Sequence, residues 1–169
     1  MQPPPDRHRV TANDREIEAS LDFVAVFIVG PSRRQWRYPG DNEGFWPLKI
    51  GTTRDPHGYL KGEDRLWEEI VGHALVYVQG QDRADRLRRT IEEMVQGRST
   101  KIRNARSYYD LTPDEAMLIL GFAVETTGID AFDFEGRRSR IAIEKQRRIR
   151  ALEQERGRYD RPGNQRRHG

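Results

Sequence analysis

Seven consecutive residues, Phe23-Val24-Ala25-Val26-Phe27-Ile28-Val29, form the longest uninterrupted apolar run in the chain. The run is β-branched and aromatic, has no polar face and is closed by Gly30-Pro31, which is the pattern of a buried central strand. It falls far short of the roughly 20 apolar residues that cross a bilayer as a helix, so a membrane-spanning chain is not expected. With 35% hydrophobic and 34% charged residues over 169 positions, the rest suits one modest core plus a polar extension.

A second strand is expected at Leu48-Lys49-Ile50-Gly51-Thr52, across a loop from Pro31 to Trp46 that lacks any periodicity. Asp55-Pro56 predicts a helix start by Asp capping with Pro in the first position, and Leu60, Trp67, Ile70 and Val71 continue it at helical spacing. Ala74-Leu75-Val76-Tyr77-Val78 predicts a third strand. After Gly80 comes an amphipathic helix with Asp82 as its cap, the stripe Ala84, Leu87, Ile91, Met94 and Val95, and Gly97 at its C-terminal cap. A polar loop then leads to Tyr108-Tyr109. Thr112-Pro113-Asp114-Glu115 is a capping box launching an apolar helix towards Gly128. The order implies an α+β domain with a small, three-stranded, mainly antiparallel sheet flanked by helices.

Charge divides the chain unevenly. Residues 137–169 carry twelve Lys and Arg against four Asp and Glu, a net +8, whereas the preceding 136 residues carry eighteen against twenty-three, a net −5. The organisation expected is a Pro-rich leader over 1–20, an α+β domain over 21–130 and a basic arm over 131–169, helical or disordered, with a frayed end from Gly157. The chain has no Cys, which excludes disulfides, zinc ribbons, iron–sulfur clusters and thiol nucleophiles. The start Met1-Gln2-Pro3-Pro4-Pro5-Asp6 lacks an apolar signal region, and the expected location is cytoplasmic. His8, His57, His73 and His168 have no metal-ligand spacing, and neither a Gly-x-x-x-x-Gly-Lys loop nor a Gly-x-Ser-x-Gly nucleophile turn occurs.

The two strands carry a resemblance. Val24-Ala25-Val26-Phe27-Ile28-Val29 followed by Leu48-Lys49-Ile50-Gly51-Thr52-Thr53-Arg54-Asp55-Pro56 resembles the paired-strand signature of the GIY-YIG endonuclease superfamily, in the branch with KIG for YIG that includes phage proteins described as DNA-binding. There the KIG strand runs into a T-x-D-P helix start, a third strand, a Glu-bearing helix and an R-x-x-W/Y-F/Y turn. The same order occurs here, with Arg103-Asn104-Ala105-Arg106-Ser107-Tyr108-Tyr109-Asp110-Leu111 similar to that turn, over residues 22–126. The resemblance implies a GIY-YIG-like fold and contact with nucleic acid, DNA rather than RNA.

Nuclease chemistry in that superfamily needs a Tyr from each signature strand, an Arg on the first helix and a metal-binding Glu on the next. Phe27 stands in the first Tyr place, Lys49 in the second, Tyr59 in that of the Arg and Arg88 in that of the Glu. An Arg repels a divalent ion and attracts phosphate, so the expectation is a nucleic-acid-binding protein with a degenerate nuclease site and no cofactor. Lys49, Arg54, Arg88, Arg89, Lys101, Arg103 and Arg106 are candidates for one phosphate-binding groove, with Trp36, Tyr108 or Tyr109 for base stacking. On the arm, Arg137, Arg138, Arg140, Arg147, Arg148 and Arg150 are candidates for phosphate contacts, and an acidic protein is the alternative partner of the arm.

Two other functions stand beside this one. An active endonuclease would take Mg²⁺ on Glu92 or Glu93, one turn beyond Arg88, with Tyr59 or Tyr108 near the scissile phosphate and Lys61, Arg65 or Arg54 supplying a cation. A protein-interaction module of a phage or mobile-element assembly would instead use the acidic body, with the arm merely solubilising.

Overall fold

The computed structural model describes residues 13–31, 46–62, 70–102 and 105–159. Most of the expected loop, the residues around Trp67 expected to continue the first helix, the Pro-rich start and the last ten residues lie outside them. The chain divides into two compact units, one of residues 22–137 and one of residues 1–21 with 138–169.

In the larger unit the apolar run is strand β1 (Phe23–Pro31), buried along its whole length. Its neighbours are β2 (Trp46–Thr53) and β3 (Ile70–Gln79), both antiparallel to it. The fold is α+β as expected, but the sheet has five strands in the order β3-β1-β2-β5-β4 rather than three. The two added strands are β4 (Ser99–Ile102) and β5 (Ala105–Leu111), in the stretch expected to be a polar loop. β4 is the edge strand, and in β5 beside it only Tyr108 and Leu111 of the described side chains are fully buried, so neither strand has an apolar run.

A second correction concerns Ile70 and Val71. Helical spacing assigned them to the first helix, yet they begin β3 and pair with Pro31 and Gly30. Two adjacent β-branched residues opposite the end of a central strand gain more from the ladder than from a helix turn.

Helix α1 (Asp14–Leu21) belongs to the smaller unit, and α2 (Pro56–Gly62) follows β2. Asp55 caps α2 as its spacing predicts, accepting a 2.9 Å hydrogen bond from Gly58 N on its side chain. Helix α3 (Gln81–Met94) starts at Gly80, whose φ of 91° suits glycine, so Asp82 is a first-turn acid and not the cap. Its stripe ends at Val95, and Gly97 sits in a 3₁₀ turn over Gln96–Arg98. The box at α4 (Pro113–Thr127) forms in full: Glu115 N donates to Thr112 Oγ1 at 3.1 Å and Thr112 N to Glu115 Oε2 at 2.9 Å. Gly128 closes the helix in the left-handed region at φ 64°.

Alternation along the strands gives the sheet two faces. Val24, Val26, Ile28, Leu48, Ile50 and Val78 face α3 and α4, where Ala84, Leu87, Ile91, Ala116, Leu120 and Ala123 complete one core. Phe23, Ala25, Phe27, Lys49 and Tyr77 point to the other face. There Phe132 bridges Tyr77 through two backbone hydrogen bonds of 2.8 and 2.9 Å, and its ring meets Phe23 edge-on at 5.0 Å.

Helix α5 (Phe134–Tyr159) runs 26 residues and buries none of them. Within the smaller unit it meets α1, where Lys145 Nζ pairs with Asp14 Oδ1 at 2.9 Å and Arg148 donates to Ser20 Oγ. Residues 14–20, expected in the leader, are helical because Asn13 caps them through Arg15 N at 3.0 Å and Ile17 is buried completely. Among the described residues no helix is long and apolar enough to cross a membrane.

Candidate nucleic-acid interface

Three positions far apart in sequence meet on the sheet face opposite α3 and α4. β1 supplies Phe27, β2 supplies Lys49 and α2 supplies Tyr59. The rings of Phe27 and Tyr59 lie 4.7 Å apart at 46°, and Lys49 Nζ stands 5.7 Å from the Tyr59 ring centre. Lys49 pairs in register with Val29 and with Tyr108, so the buried Tyr108 lies on this face too. These are the places to which the resemblance assigns two tyrosines and an arginine. What they form is an aromatic pair beneath a half-buried ammonium, an arrangement suited to packing and to one phosphate contact.

Arg54, at the end of β2, is tied down. Its Nε and Nη2 both reach Asp22 Oδ1 at 2.9 Å, and Nη1 donates to Gln81 Oε1 at 3.2 Å. The residue therefore joins the start of β1 to the start of α3.

Arg88 lies on α3 between two acids, with Nη1 3.4 Å from Glu92 Oε1 and Nη2 3.9 Å from Asp85 Oδ1. Its Nε is buried and hydrogen-bonds to nothing among the described residues. Arg89 is exposed and reaches the Asp85 carbonyl at 3.4 Å. Arg89, Glu92, Glu93, Gln96, Ser99 and Tyr109 line a cleft of about 370 Å³. Burial, and then the Glu92 charge, push the Tyr109 phenol above its ordinary value against the pull of Arg88.

The sheet stands between these two groups. Leu48 and Ile50 join the core beneath α3, so Lys49 between them faces away; Tyr109 pairs with Leu48 and Tyr108 with Lys49. Glu92, Glu93, Arg88, Arg89 and Tyr109 are on the α3 side, whereas Tyr59, Tyr108 and Lys49 are on the other. The four residues proposed for cleavage do not meet in one groove. Glu92 is already the partner of a guanidinium, and among the described residues no three His, Asp or Glu side chains gather to hold a metal ion. A divalent cation does not fit this carboxylate, whose charge the Arg88 guanidinium already meets.

Sequence reasoning missed a well-formed ion pair between the 3₁₀ turn and α4. Arg98 grips Glu115 in a two-pronged bond, Nη1 to Oε1 at 3.0 Å and Nη2 to Oε2 at 2.9 Å, holding that carboxyl below its usual range. The box made Glu115 visible, but nothing local pointed to a partner 17 residues earlier.

On α5, Arg137 lies 5.2 Å from the Tyr77 ring centre. Arg147 and Arg148 share Glu144, with contacts of 2.7 to 3.0 Å that hold its carboxyl down at about 2. Arg138 and Arg140 also have partners, whereas Arg150, Arg156 and Arg158 are exposed and make no ion pair with a described residue. His57 is exposed and His73 Nε2 lies 3.1 Å from the Pro31 carbonyl. Arg103, Trp36, Arg65, His8 and His168 lie outside the described residues, as do the side chains of Lys61, Lys101 and Arg106. No protein-family model, curated protein or solved structure matches this chain.

Proposed function

We propose that this protein binds nucleic acid, DNA in particular, with α5 as the principal contact and with a GIY-YIG-like sheet whose nuclease positions have turned to packing. The observation that carries the proposal is the helix itself. Over 26 residues it holds eight Arg and one Lys against four Glu and buries none of them. A helix that packs so little gains nothing in the fold from such a charge density, whereas each phosphate it neutralises releases condensed counterions. Support for the GIY-YIG-like reading comes from the antiparallel trio β3-β1-β2 and from the meeting of Phe27, Lys49 and Tyr59.

The test is fluorescence anisotropy of a labelled duplex titrated with the full-length protein over a range of salt. Replacing Arg156 and Arg158 by Gln leaves the described ion pairs intact. It should weaken binding and reduce the slope of log K against log salt by up to about two, at roughly 0.9 per phosphate lost. An unchanged slope would move the contacts off α5, and no binding by the unaltered protein would end the nucleic-acid reading.

A further inference from the structure

Helix α4 is apolar on both sides. Its inner face is in the core, yet on its outer face Met117, Leu118 and Phe122 are 63%, 73% and 63% exposed, around the exposed Gly121. Asp114 and Glu125 mark the two ends of this strip, eleven residues or about 16 Å apart along the helix. Both are exposed and neither pairs with a described residue, and α4 has no Lys or Arg at all. The strip is thus an apolar centre with a negative charge at each end. So large an exposed apolar face on a soluble surface marks a contact site.

The charge pattern selects what covers it. Two α4 helices packed antiparallel about a two-fold axis would set Asp114 of one against Glu125 of the other, which like charges oppose. The inverse pattern occurs on α5. Ile143, 69% exposed, has Arg140 one turn before it and Arg147 and Arg150 one and two turns after it. This is the side of α5 turned away from Lys145 and Arg148, which engage α1. Ala142, Ile143, Arg147, Arg150 and Ala151 are all exposed along this part of α5. The alanines, being small, leave room beside Ile143 for Leu118 and Phe122, and both helices offer ridges spaced four residues apart, the rows that interlock most often in helix packing.

We infer that α4 is the docking surface for α5 of a second copy of this chain, with Leu118 and Phe122 against Ile143 and its alanines, and Asp114 and Glu125 against the flanking arginines. Because each copy has one of each surface, two copies exchange the contact reciprocally and close a dimer. This inference does not rest on nucleic-acid binding, but it places Arg147 and Arg150 at the seam between copies, so a second copy and nucleic acid would compete for that side of α5.

The test is sedimentation velocity of the full-length protein without nucleic acid, from micromolar to hundred-micromolar concentration. The unaltered chain should pass from monomer to dimer. Asp114→Arg with Glu125→Arg, or Arg147→Glu with Arg150→Glu, should each weaken self-association by about a hundredfold, since the two reciprocal contacts hold four exposed pairs and each reversal contributes about threefold. An equimolar mixture of these two variants should restore the dimer, which also shows that both are folded. Leu118→Ser with Phe122→Ser should abolish it with no change of charge. A chain that stays monomeric throughout overturns the inference. So does a dimer that survives the α5 reversal, or a mixture that fails to associate.

Discussion

The ring of Tyr59 leans on that of Phe27, 4.7 Å away, and carries the Lys49 ammonium 5.7 Å from its centre. Phe27 is almost fully buried, so Tyr59 is its lid. Tyr59→Ala should cost about 1–3 kcal/mol, combining lost area with the aromatic contact. Lys49→Gln, which removes only the cation over the ring, should cost under about 1 kcal/mol. Urea unfolding of the two variants measures both, and a Tyr59→Ala chain as stable as the original would deny the ring its packing role.

Gly51 sits opposite Phe27 in the β1–β2 register, and a Cβ there would lie 2.6 Å from the tip of the Phe27 ring. Gly51→Ala should destabilise by about 1–3 kcal/mol through overpacking. Shortening the neighbour by Phe27→Leu should recover part of that loss, so the two changes together should cost less than their sum. Strict additivity would show that the ring does not need the space over Gly51.

Arg98 holds the Glu115 carboxyl below its ordinary range, chiefly by its hydrogen bonds, against the opposing effect of burial. A carboxyl depressed in the folded state adds stability above its unfolded value. That contribution begins to fall near about pH 4.3 and vanishes below the folded value. Glu115→Gln should therefore lower the melting temperature at pH 7, and the gap from the unaltered protein should close as pH drops towards 3. A gap independent of pH would show that the charge contributes nothing.

Glu144 occupies two guanidiniums, those of Arg147 and Arg148. Glu144→Gln frees Arg147, leaves Arg148 on Ser20 and removes one negative charge, so duplex DNA should bind more tightly and the salt slope should steepen by up to about one, at roughly 0.9 per added phosphate contact. Anisotropy at two salt concentrations reads this directly, and weaker binding would mean that the carboxylate positions α5 instead of masking it.

What could be read in the sequence was what local chemistry dictates. The Asp55 cap, the Thr112–Glu115 box and Gly128 act through neighbours within four residues, the apolar run declares itself by its own composition, and each forms as its pattern predicts. The extra strands β4 and β5 escaped because their stabilisation comes from partners across the sheet, not from an apolar pattern of their own. Ile70 and Val71 misled for a similar reason, since spacing that fits a helix also fits a strand when the run is short. At the candidate site, the convergence of Phe27, Lys49 and Tyr59 followed from the paired strands and the capped helix. The separation of Glu92 and Glu93 from Tyr59 did not, because a linear pattern says which side of a helix a residue occupies but not which side of the sheet receives the helix.

The smaller unit joins segments from opposite ends of the chain, and the contact of Asp14 with Lys145 spans 131 positions. Translation delivers these partners at widely separated times. The sheet has all its strands while α1 still waits for α5, whose Lys145 and Arg148 engage it. Synthesis thus imposes an order on assembly, body first and basic helix last. A chain ending before Phe134 would hold every strand of the sheet but lack the helix in which nine Lys and Arg stand against four Glu.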